Sequence, residues 1–107
     1  MTTLLALDIG GTKVGWGIIE AGDRYEVTER GSIPTDAMRG GADVAGRICD
    51  LAASLVASHP QVSGVAVASA GVVDPATGDI VSATGTMPGW GGTHLGALLQ
   101  AATGLPV

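Results

Sequence analysis

The chain has 107 residues, 46% of them hydrophobic, which is enough to build the core of one domain. Its formal net charge of -5 argues against a general nucleic-acid binder, and its apolar stretches are too short for a membrane span. The single cysteine excludes an intramolecular disulfide or a cysteine cluster for a metal, and with no signal-peptide pattern at the N-terminus the cytoplasm is the expected location.

The N-terminal part of the sequence predicts a meander of three antiparallel strands. Residues 4–7 form a continuous apolar run, typical of a strand covered on both faces, and Gly10-Gly11 ends it with a tight turn. Large and small residues alternate over residues 14–18, and apolar and polar residues alternate over residues 25–33. We therefore expect two further strands, each of which follows a turn.

The next part of the sequence predicts a helix and a buried strand. Residues 34–41 are expected to form a polar, irregular link to a helix over residues 42–58. This helix would carry an apolar stripe on one side and an ion pair between Asp43 and Arg47 on the other. Residues 62–68 are again mostly apolar, and with the helix as a crossover this strand should lie parallel to the first one.

The C-terminal part predicts a hairpin over residues 72–81, a surface loop over residues 82–92 and a second helix. Thr93 is expected to cap this helix and Gly104 to end it, and residues 105–107 are typical of the start of a strand. The pattern as a whole predicts a single α/β domain with a mixed sheet.

The strongest candidate for a functional site is the turn after the first strand, which contains Asp8, Gly10, Gly11, Thr12 and Lys13. Paired glycines let backbone N–H groups approach phosphate oxygens, while the threonine adds a hydroxyl donor and the lysine a positive charge. A carboxylate at a strand end can hold magnesium directly or through water. The alternative is a hairpin in which Asp8 only caps its own turn. Because no helix follows the glycines, the turn is neither a Walker loop nor a dinucleotide fingerprint.

Two weaker candidates lie further along the chain. Gly71 follows a buried strand, at the end where ligands gather in α/β sheets, but an ordinary strand-to-hairpin turn explains it as well. The glycine-rich loop with Thr86 and Trp90 has the composition of a sugar site, although a tryptophan in such a place is more often a lid over the core.

Three further residues are given structural roles. Cys49 is expected to be buried or half-buried on the long helix, and His59 is expected to be a solvated cap at its end. His94 should lie in the first turn of the last helix, and we assign it no metal role because no second ligand stands at suitable spacing.

Five motifs, in this order and spacing, resemble the ROK family of sugar kinases and sugar-responsive transcriptional repressors. They are Leu7-Asp8-Ile9-Gly10-Gly11-Thr12-Lys13, Ala68-Ser69-Ala70-Gly71-Val72-Val73-Asp74, Gly78-Asp79-Ile80-Val81, Met87-Pro88-Gly89-Trp90 and Gly104-Leu105-Pro106-Val107. The resemblance covers nearly the whole chain and is more specific than the first motif, which many actin-like and hexokinase-like proteins share. It implies a ribonuclease-H-like (actin-like ATPase) lobe, with residues 1–107 as the N-terminal lobe of a two-lobed protein.

The resemblance also implies a function, namely the N-terminal lobe of an ATP-dependent sugar kinase of the glucokinase or N-acyl-hexosamine kinase type. By similarity, residues 8–13 would bind the phosphates, with Asp8 near magnesium, and Gly71 and Thr86 would border the sugar. The family's catalytic aspartate, zinc cluster and adenine-binding lobe lie further along than the motif that ends at Val107. We therefore assign no catalytic residue, expect zinc only in the second lobe, and expect the chain as given to be incomplete for catalysis.

Two positions depart from the family pattern and leave the sugar open. Thr86 stands where kinases commonly carry Asn, and Ala70 stands where many kinases carry Pro. The alternative function is the sugar-sensing effector lobe of a ROK repressor without kinase activity. Because Met1 directly precedes the first strand, no DNA-binding segment is expected before this lobe and no nucleic acid is expected to bind it. The expected partners are a sugar and a nucleotide, with self-association left open.

Overall fold

A computed structural model describes residues 1–107, and its elements are numbered here in chain order. They are β1 (Thr2–Ile9), β2 (Lys13–Ala21), β3 (Tyr25–Pro34), a 3₁₀ turn (Ala37–Arg39), α1 (Gly41–Ser58), β4 (Val62–Ser69), β5 (Val72–Val73), β6 (Ile80–Ser82) and α2 (Leu95–Thr103). Neither α-helix combines the length and the hydrophobicity that crossing a bilayer would need.

The main sheet has the strand order β3-β2-β1-β4. Strand β2 is antiparallel to both of its neighbours, and β4 is parallel to β1. The predicted meander, crossover helix and parallel strand are therefore confirmed. Because β1 and β4 run in the same direction, their C-terminal residues Ile9 and Ser69 are register partners at one end of the sheet. This end carries all the segments that the sequence singles out for ligand binding.

The core lies on one face of this sheet. Alternate residues of β1, namely Leu5, Leu7 and Ile9, are fully buried there, together with residues of α1, β6 and α2. The same alternation places Asp8 on the opposite face, where it is exposed. The prediction that β1 is covered on both faces is wrong, because Ala6 on that second face stays only half-buried.

The C-terminal part agrees with the sequence only in outline. The hairpin is confirmed as β5 paired antiparallel with β6, in a separate two-stranded sheet. The loop after β6 has no regular element, but its description as a surface loop is wrong for Met87 and Trp90, which are 3% and 0% exposed. Both residues are large and apolar and belong to the core, which the loop therefore helps to close.

The ends of α2 differ in how well the sequence predicts them. Thr93 does not cap the helix, which begins at Leu95 with His94 in the cap position and no side-chain cap bond. Gly104 ends the helix as predicted, with a φ of 71° that favours glycine and an N–H bonded to a carbonyl of the last turn. No strand follows, although the Pro106 carbonyl accepts a hydrogen bond from the Val65 N–H, 2.9 Å away, beside the edge of β4.

Candidate functional site

The turn between β1 and β2 leaves backbone donors free. The Gly10 N–H donates to the Lys13 carbonyl at 3.0 Å and closes the turn, whereas the N–H groups of Gly11 and Thr12 make no hydrogen bond within the chain. A small cavity of about 390 Å³ opens over the turn. It is lined by Asp8, Gly10, Gly11, Thr12, Lys13 and Gly15, so the structure brings the five residues predicted for phosphate and metal binding together.

Asp8 faces this cavity with an unobstructed carboxylate. Its register partners are Gly15 on β2 and Ala68 on β4, so the neighbouring strands offer almost no side chain to cover it. The carboxylate makes no hydrogen bond or ion pair, and the Asx cap considered as the alternative role is not formed. Lys13 is likewise exposed and has no ion-pair partner in the chain.

Thr35 supports the turn from the core side. It is the one buried polar residue of the chain, at 0% exposure. Its hydroxyl donates to the Gly10 carbonyl at 2.6 Å, and its N–H donates to the Thr12 carbonyl at 2.9 Å. Sequence reasoning missed Thr35 because it stands in a polar link beside exposed residues, where no periodic pattern marks a buried position. A threonine alone in such a link is no signal of a contact twenty-five positions away.

Arg47 on α1 fixes the segment that carries Thr35. Its guanidinium donates to the carbonyls of Pro34 and Thr35 and, at 2.7 Å, to the Asp43 carboxylate. The predicted ion pair between Asp43 and Arg47 is thus confirmed, and Arg47 also holds the backbone of the segment that follows β3. The hydrogen bond from Arg47 lowers the pKa of the Asp43 carboxyl, which favours the carboxylate form that accepts this bond.

Gly71 lies beside the same end of the sheet. The preceding Ala70 N–H donates to the Ile9 carbonyl at 2.8 Å, which joins this segment to the last residue of β1. Gly71 itself has a φ of 92°, and a Cβ at this position would run into the Ser82 carbonyl. Gly71 therefore lies in the turn between β4 and β5, where its positive φ and the nearby Ser82 carbonyl both favour glycine.

Thr86 is exposed on the loop that Met87 and Trp90 anchor. Its hydroxyl shares a hydrogen bond of 2.7 Å with the Thr84 hydroxyl. Met87 lies against the glycine turn, since a Cβ placed on Gly11 would be 4.0 Å from the Met87 Cγ. Thr86 therefore precedes a residue, Met87, that lies against the glycine turn. Neither Thr86 nor Gly71 lines a cavity.

Trp90 belongs to the core, as its alternative role predicts. Its ring is fully buried, and its indole N–H donates to the Ser69 hydroxyl oxygen at 3.2 Å. The Ser69 hydroxyl donates in turn to the Ala70 carbonyl at 2.9 Å. Trp90 therefore holds the loop against the C-terminal end of β4 instead of lining a sugar site.

The two histidines both have carboxylate partners. His59 is the C-cap of α1, as predicted, but it is not solvated, because its side chain is only 15% exposed. Its Nδ1 lies 2.8 Å from the Leu55 carbonyl and its Nε2 lies 2.6 Å from a Glu29 carboxylate oxygen, and the bond to Glu29 is the main cause that raises the pKa of His59. His94 precedes α2 instead of lying in its first turn, and its Nδ1 is 3.0 Å from Asp79. That hydrogen bond lowers the pKa of Asp79.

Cys49 is half-buried on α1, as predicted. Burial, with a smaller contribution from the Asp50 charge, raises the pKa of the Cys49 thiol, so the thiol stays protonated at neutral pH. No group of three or more His, Cys, Asp or Glu side chains is arranged to hold a metal ion.

Two known proteins are similar to this chain in sequence, while no family model matches it. An uncharacterized protein of Clostridium perfringens is 33% identical over 107 residues, which are 99% of this chain and 35% of that protein. A beta-glucoside kinase of Klebsiella pneumoniae is 31% identical over 105 residues, which are 97% of this chain and 32% of that enzyme. The chain therefore spans about a third of the length of the relatives it matches.

Solved structures of ROK proteins share this fold. A ROK hexokinase from Thermus thermophilus has a TM-score of 0.80 at 24% identity, over 99% of this chain and 34% of its own. A ROK family glucokinase from Streptomyces griseus, in complex with glucose and AMPPNP, has a TM-score of 0.79 at 25% identity, over 98% of this chain and 31% of its own. A ROK family transcriptional regulator, a homologue of the E. coli MLC protein, has a TM-score of 0.79 at 22% identity, over 98% of this chain and 26% of its own. The predicted actin-like α/β fold is thus confirmed, and so is the resemblance of this chain to the ROK family of sugar kinases and repressors.

Proposed function

We propose that the chain is the N-terminal lobe of an ATP-dependent sugar kinase, in which residues 8–13 bind the nucleotide phosphates. The observation that carries this proposal is the pair of free N–H groups on Gly11 and Thr12, next to an open carboxylate on Asp8 and an unpaired Lys13. Neighbouring backbone donors in a turn are a favourable site for an anion, and phosphates need several donors at once. A purely structural role would not require two free N–H groups, a carboxylate and an ammonium group in the same turn.

Asp8 fits the role of a magnesium ligand. Magnesium is usually held by one or two carboxylates together with substrate phosphates, and an isolated carboxylate beside a phosphate cradle meets that description. When bound, the ion would offset negative charge on the phosphates. The protein's own contribution is to hold Asp8 at the end of β1, on the face opposite the core, where it reaches the cavity without a competing partner.

Gly71 and Thr86 are proposed to border the sugar. Both are exposed, and both belong to segments that are tied to the phosphate turn, one through the bond between Ala70 and Ile9 and the other through Met87. The hydroxyl of Thr86 can donate or accept a hydrogen bond, which suits a sugar hydroxyl. The names of two relatives, a beta-glucoside kinase and a glucokinase solved with glucose, support the substrate class.

A sugar-sensing lobe of a repressor is the second candidate, and the state of Thr86 favours it. A threonine offers fewer hydrogen-bonding groups than the asparagine common in kinases, and Thr86 uses one of them in its bond with the Thr84 hydroxyl. Such a site could report the presence of a sugar without orienting it for phosphoryl transfer. The structural neighbour that is a transcriptional regulator has the same fold.

Backbone NMR of residues 1–107 tests the phosphate proposal directly. Titration with magnesium pyrophosphate should shift the amide signals of Gly11 and Thr12, whereas amides of the turn between β2 and β3 should not move. The 107-residue chain by itself should show no sugar-dependent ATP hydrolysis, because phosphoryl transfer needs positioned charges from several segments. If the amide signals of the glycine turn stay in place at saturating ligand, the turn is not a phosphate site.

Replacing Asp8 in the two-lobed protein distinguishes the metal role from a structural one. Asp8→Ala should lower kcat by roughly a hundredfold or more, as expected for a lost electrostatic contact to the transition state, with little change in sugar affinity by calorimetry. Asp23→Ala is a matched control, since Asp23 is an exposed carboxylate in the turn between β2 and β3. Normal turnover by the Asp8 variant, with only a lower melting temperature, would show that the metal role is wrong.

A further inference from the structure

We propose that Thr35 is a positioning residue for the phosphate turn, in which it makes the Gly11 N–H point outward. The inference rests on the proposed function of residues 8–13 and adds a determinant that lies outside them. Thr35 follows β3 and is separated from the turn by the whole of β2 and β3 in sequence, yet it bonds two of the turn's carbonyl groups.

The geometry of the peptide bond gives Thr35 this control. In a planar trans peptide unit, the carbonyl of one residue and the N–H of the next point in opposite directions. The Thr35 hydroxyl holds the Gly10 carbonyl toward the core at 2.6 Å, so the N–H of Gly11 must point away from the core. The Thr35 N–H holds the Thr12 carbonyl in the same way and fixes the following peptide unit at Lys13.

Glycine makes such control necessary. Gly10 and Gly11 have no Cβ, so their peptide units have more accessible orientations than those of other residues. A turn free to rotate its peptides would present carbonyl oxygens to a phosphate in part of its conformations, and these oxygens repel anions. Because Thr35 is fully buried, its hydroxyl has no water to bond instead, and losing the Gly10 carbonyl would leave it without a partner.

Arg47 extends this support to helix α1. Its guanidinium binds the carbonyls of Pro34 and Thr35, and the Asp43 carboxylate fixes the guanidinium in turn. The backbone of Thr35 is therefore held from the helix side while its hydroxyl and N–H hold the turn. The arrangement predicts that removal of the Arg47 contacts weakens phosphate binding less than removal of the Thr35 hydroxyl.

Three variants of the 107-residue chain separate positioning from packing. Thr35→Val keeps the shape and removes the hydroxyl, whereas Thr35→Ser keeps the hydroxyl and removes a methyl group. Thr103→Val is the matched control, because the Thr103 hydroxyl also donates to a carbonyl, that of Leu99, at 2.7 Å and far along the chain from the turn. All are titrated with magnesium pyrophosphate, with the amide shifts of Gly11 and Thr12 as the signal and a melting curve for each.

The expected result is a weaker Kd for Thr35→Val alone, by about tenfold, which is the size of effect expected for one hydrogen bond. Thr35→Ser and Thr103→Val should bind within about twofold of the unsubstituted chain even where their melting temperatures fall. If Thr35→Val does not fold, Arg47→Met, which leaves Thr35 in the core, should still weaken binding by about threefold.

The outcomes also separate this inference from the function it rests on. Absence of any amide shift in the unsubstituted chain would overturn the phosphate site and the positioning role together. Tight binding by the unsubstituted chain with the same Kd in Thr35→Val, or in Arg47→Met where that variant is used, would overturn the positioning role alone and leave the phosphate site standing.

Discussion

Replacing Trp90 by phenylalanine tests whether the loop between β6 and α2 is anchored through the core. Trp90 is fully buried, and its indole N–H donates to the Ser69 hydroxyl oxygen at 3.2 Å. Phenylalanine removes this hydrogen bond, worth about 1 kcal/mol, and part of the buried ring, worth about another 1 kcal/mol. The free energy of unfolding should therefore fall by about 2 kcal/mol, and for a chain of this size Tm should fall by about 10 °C.

Trp16→Phe is the matched control for this experiment. Trp16 lies on β2, is only half-buried, and its indole nitrogen has no hydrogen-bond partner in the chain. Its replacement should lower the free energy of unfolding by less than about 1 kcal/mol. Thermal unfolding followed by circular dichroism, with urea denaturation for the free energies, gives both values.

A double-mutant cycle with Ser69→Ala then isolates the hydrogen bond. With Trp90 present, Ser69→Ala leaves a buried indole N–H without a partner and should cost about 1–3 kcal/mol. In the Trp90→Phe background the same change should cost little, because there is no N–H to satisfy. Equal losses for the two tryptophan variants, or an equal cost of Ser69→Ala in both backgrounds, would refute the anchoring role of Trp90.

Two further predictions concern stability. Gly71→Ala should cost at least about 2 kcal/mol in urea denaturation, since its φ is 92° and a Cβ would meet the Ser82 carbonyl, whereas Gly85→Ala, with open space around it and no positive φ, should stay within about 1 kcal/mol of the parent. The bond to Glu29 raises the pKa of His59, so its contribution to stability should be complete below about pH 6.5 and lost as the pH rises through the raised value. Glu29→Gln should flatten this part of the stability curve, measured by urea denaturation at each pH, and an unchanged curve would contradict the pairing.

The local part of the fold could be predicted from the sequence because each element has its own periodicity. Alternation over residues 25–33 and the apolar stripe over residues 42–58 are properties of neighbouring residues, and both elements form where expected. The parallel placement of β4 beside β1 follows from α1, which serves as the crossover that precedes β4. The start of α2 differs from the prediction: the helix begins at Leu95, and the Gly96 N–H in its first turn donates to the Gly78 carbonyl. The sequence near Thr93 gives no sign of this contact.

The support of the site could not be predicted in the same way. The residues that line the cavity all lie between Asp8 and Gly15 in the sequence, so their composition marks them. Thr35 and Arg47 reach the turn only through the fold, and the partner of His59 is on another strand, thirty positions away. A polar side chain in a link or at a helix end is usually solvated, and nothing local reveals that these ones are bonded within the protein.

The turn between β1 and β2 combines two free backbone N–H groups with the unpaired side chains of Asp8 and Lys13. No buried side-chain nitrogen or oxygen lacks a hydrogen-bond partner. Thr35, the one buried polar residue, donates both its hydroxyl and its N–H to carbonyls of the turn. The chain carries a formal net charge of -5, so its long-range field does not attract a phosphate. Affinity for an anion must then come from short-range donors that already face outward before the ligand arrives, because such donors need no reorganisation. For the proposed phosphate site, the residues that orient the turn are therefore determinants of affinity too, and Thr35, which bonds two of the turn's carbonyl groups, is the first of these to test.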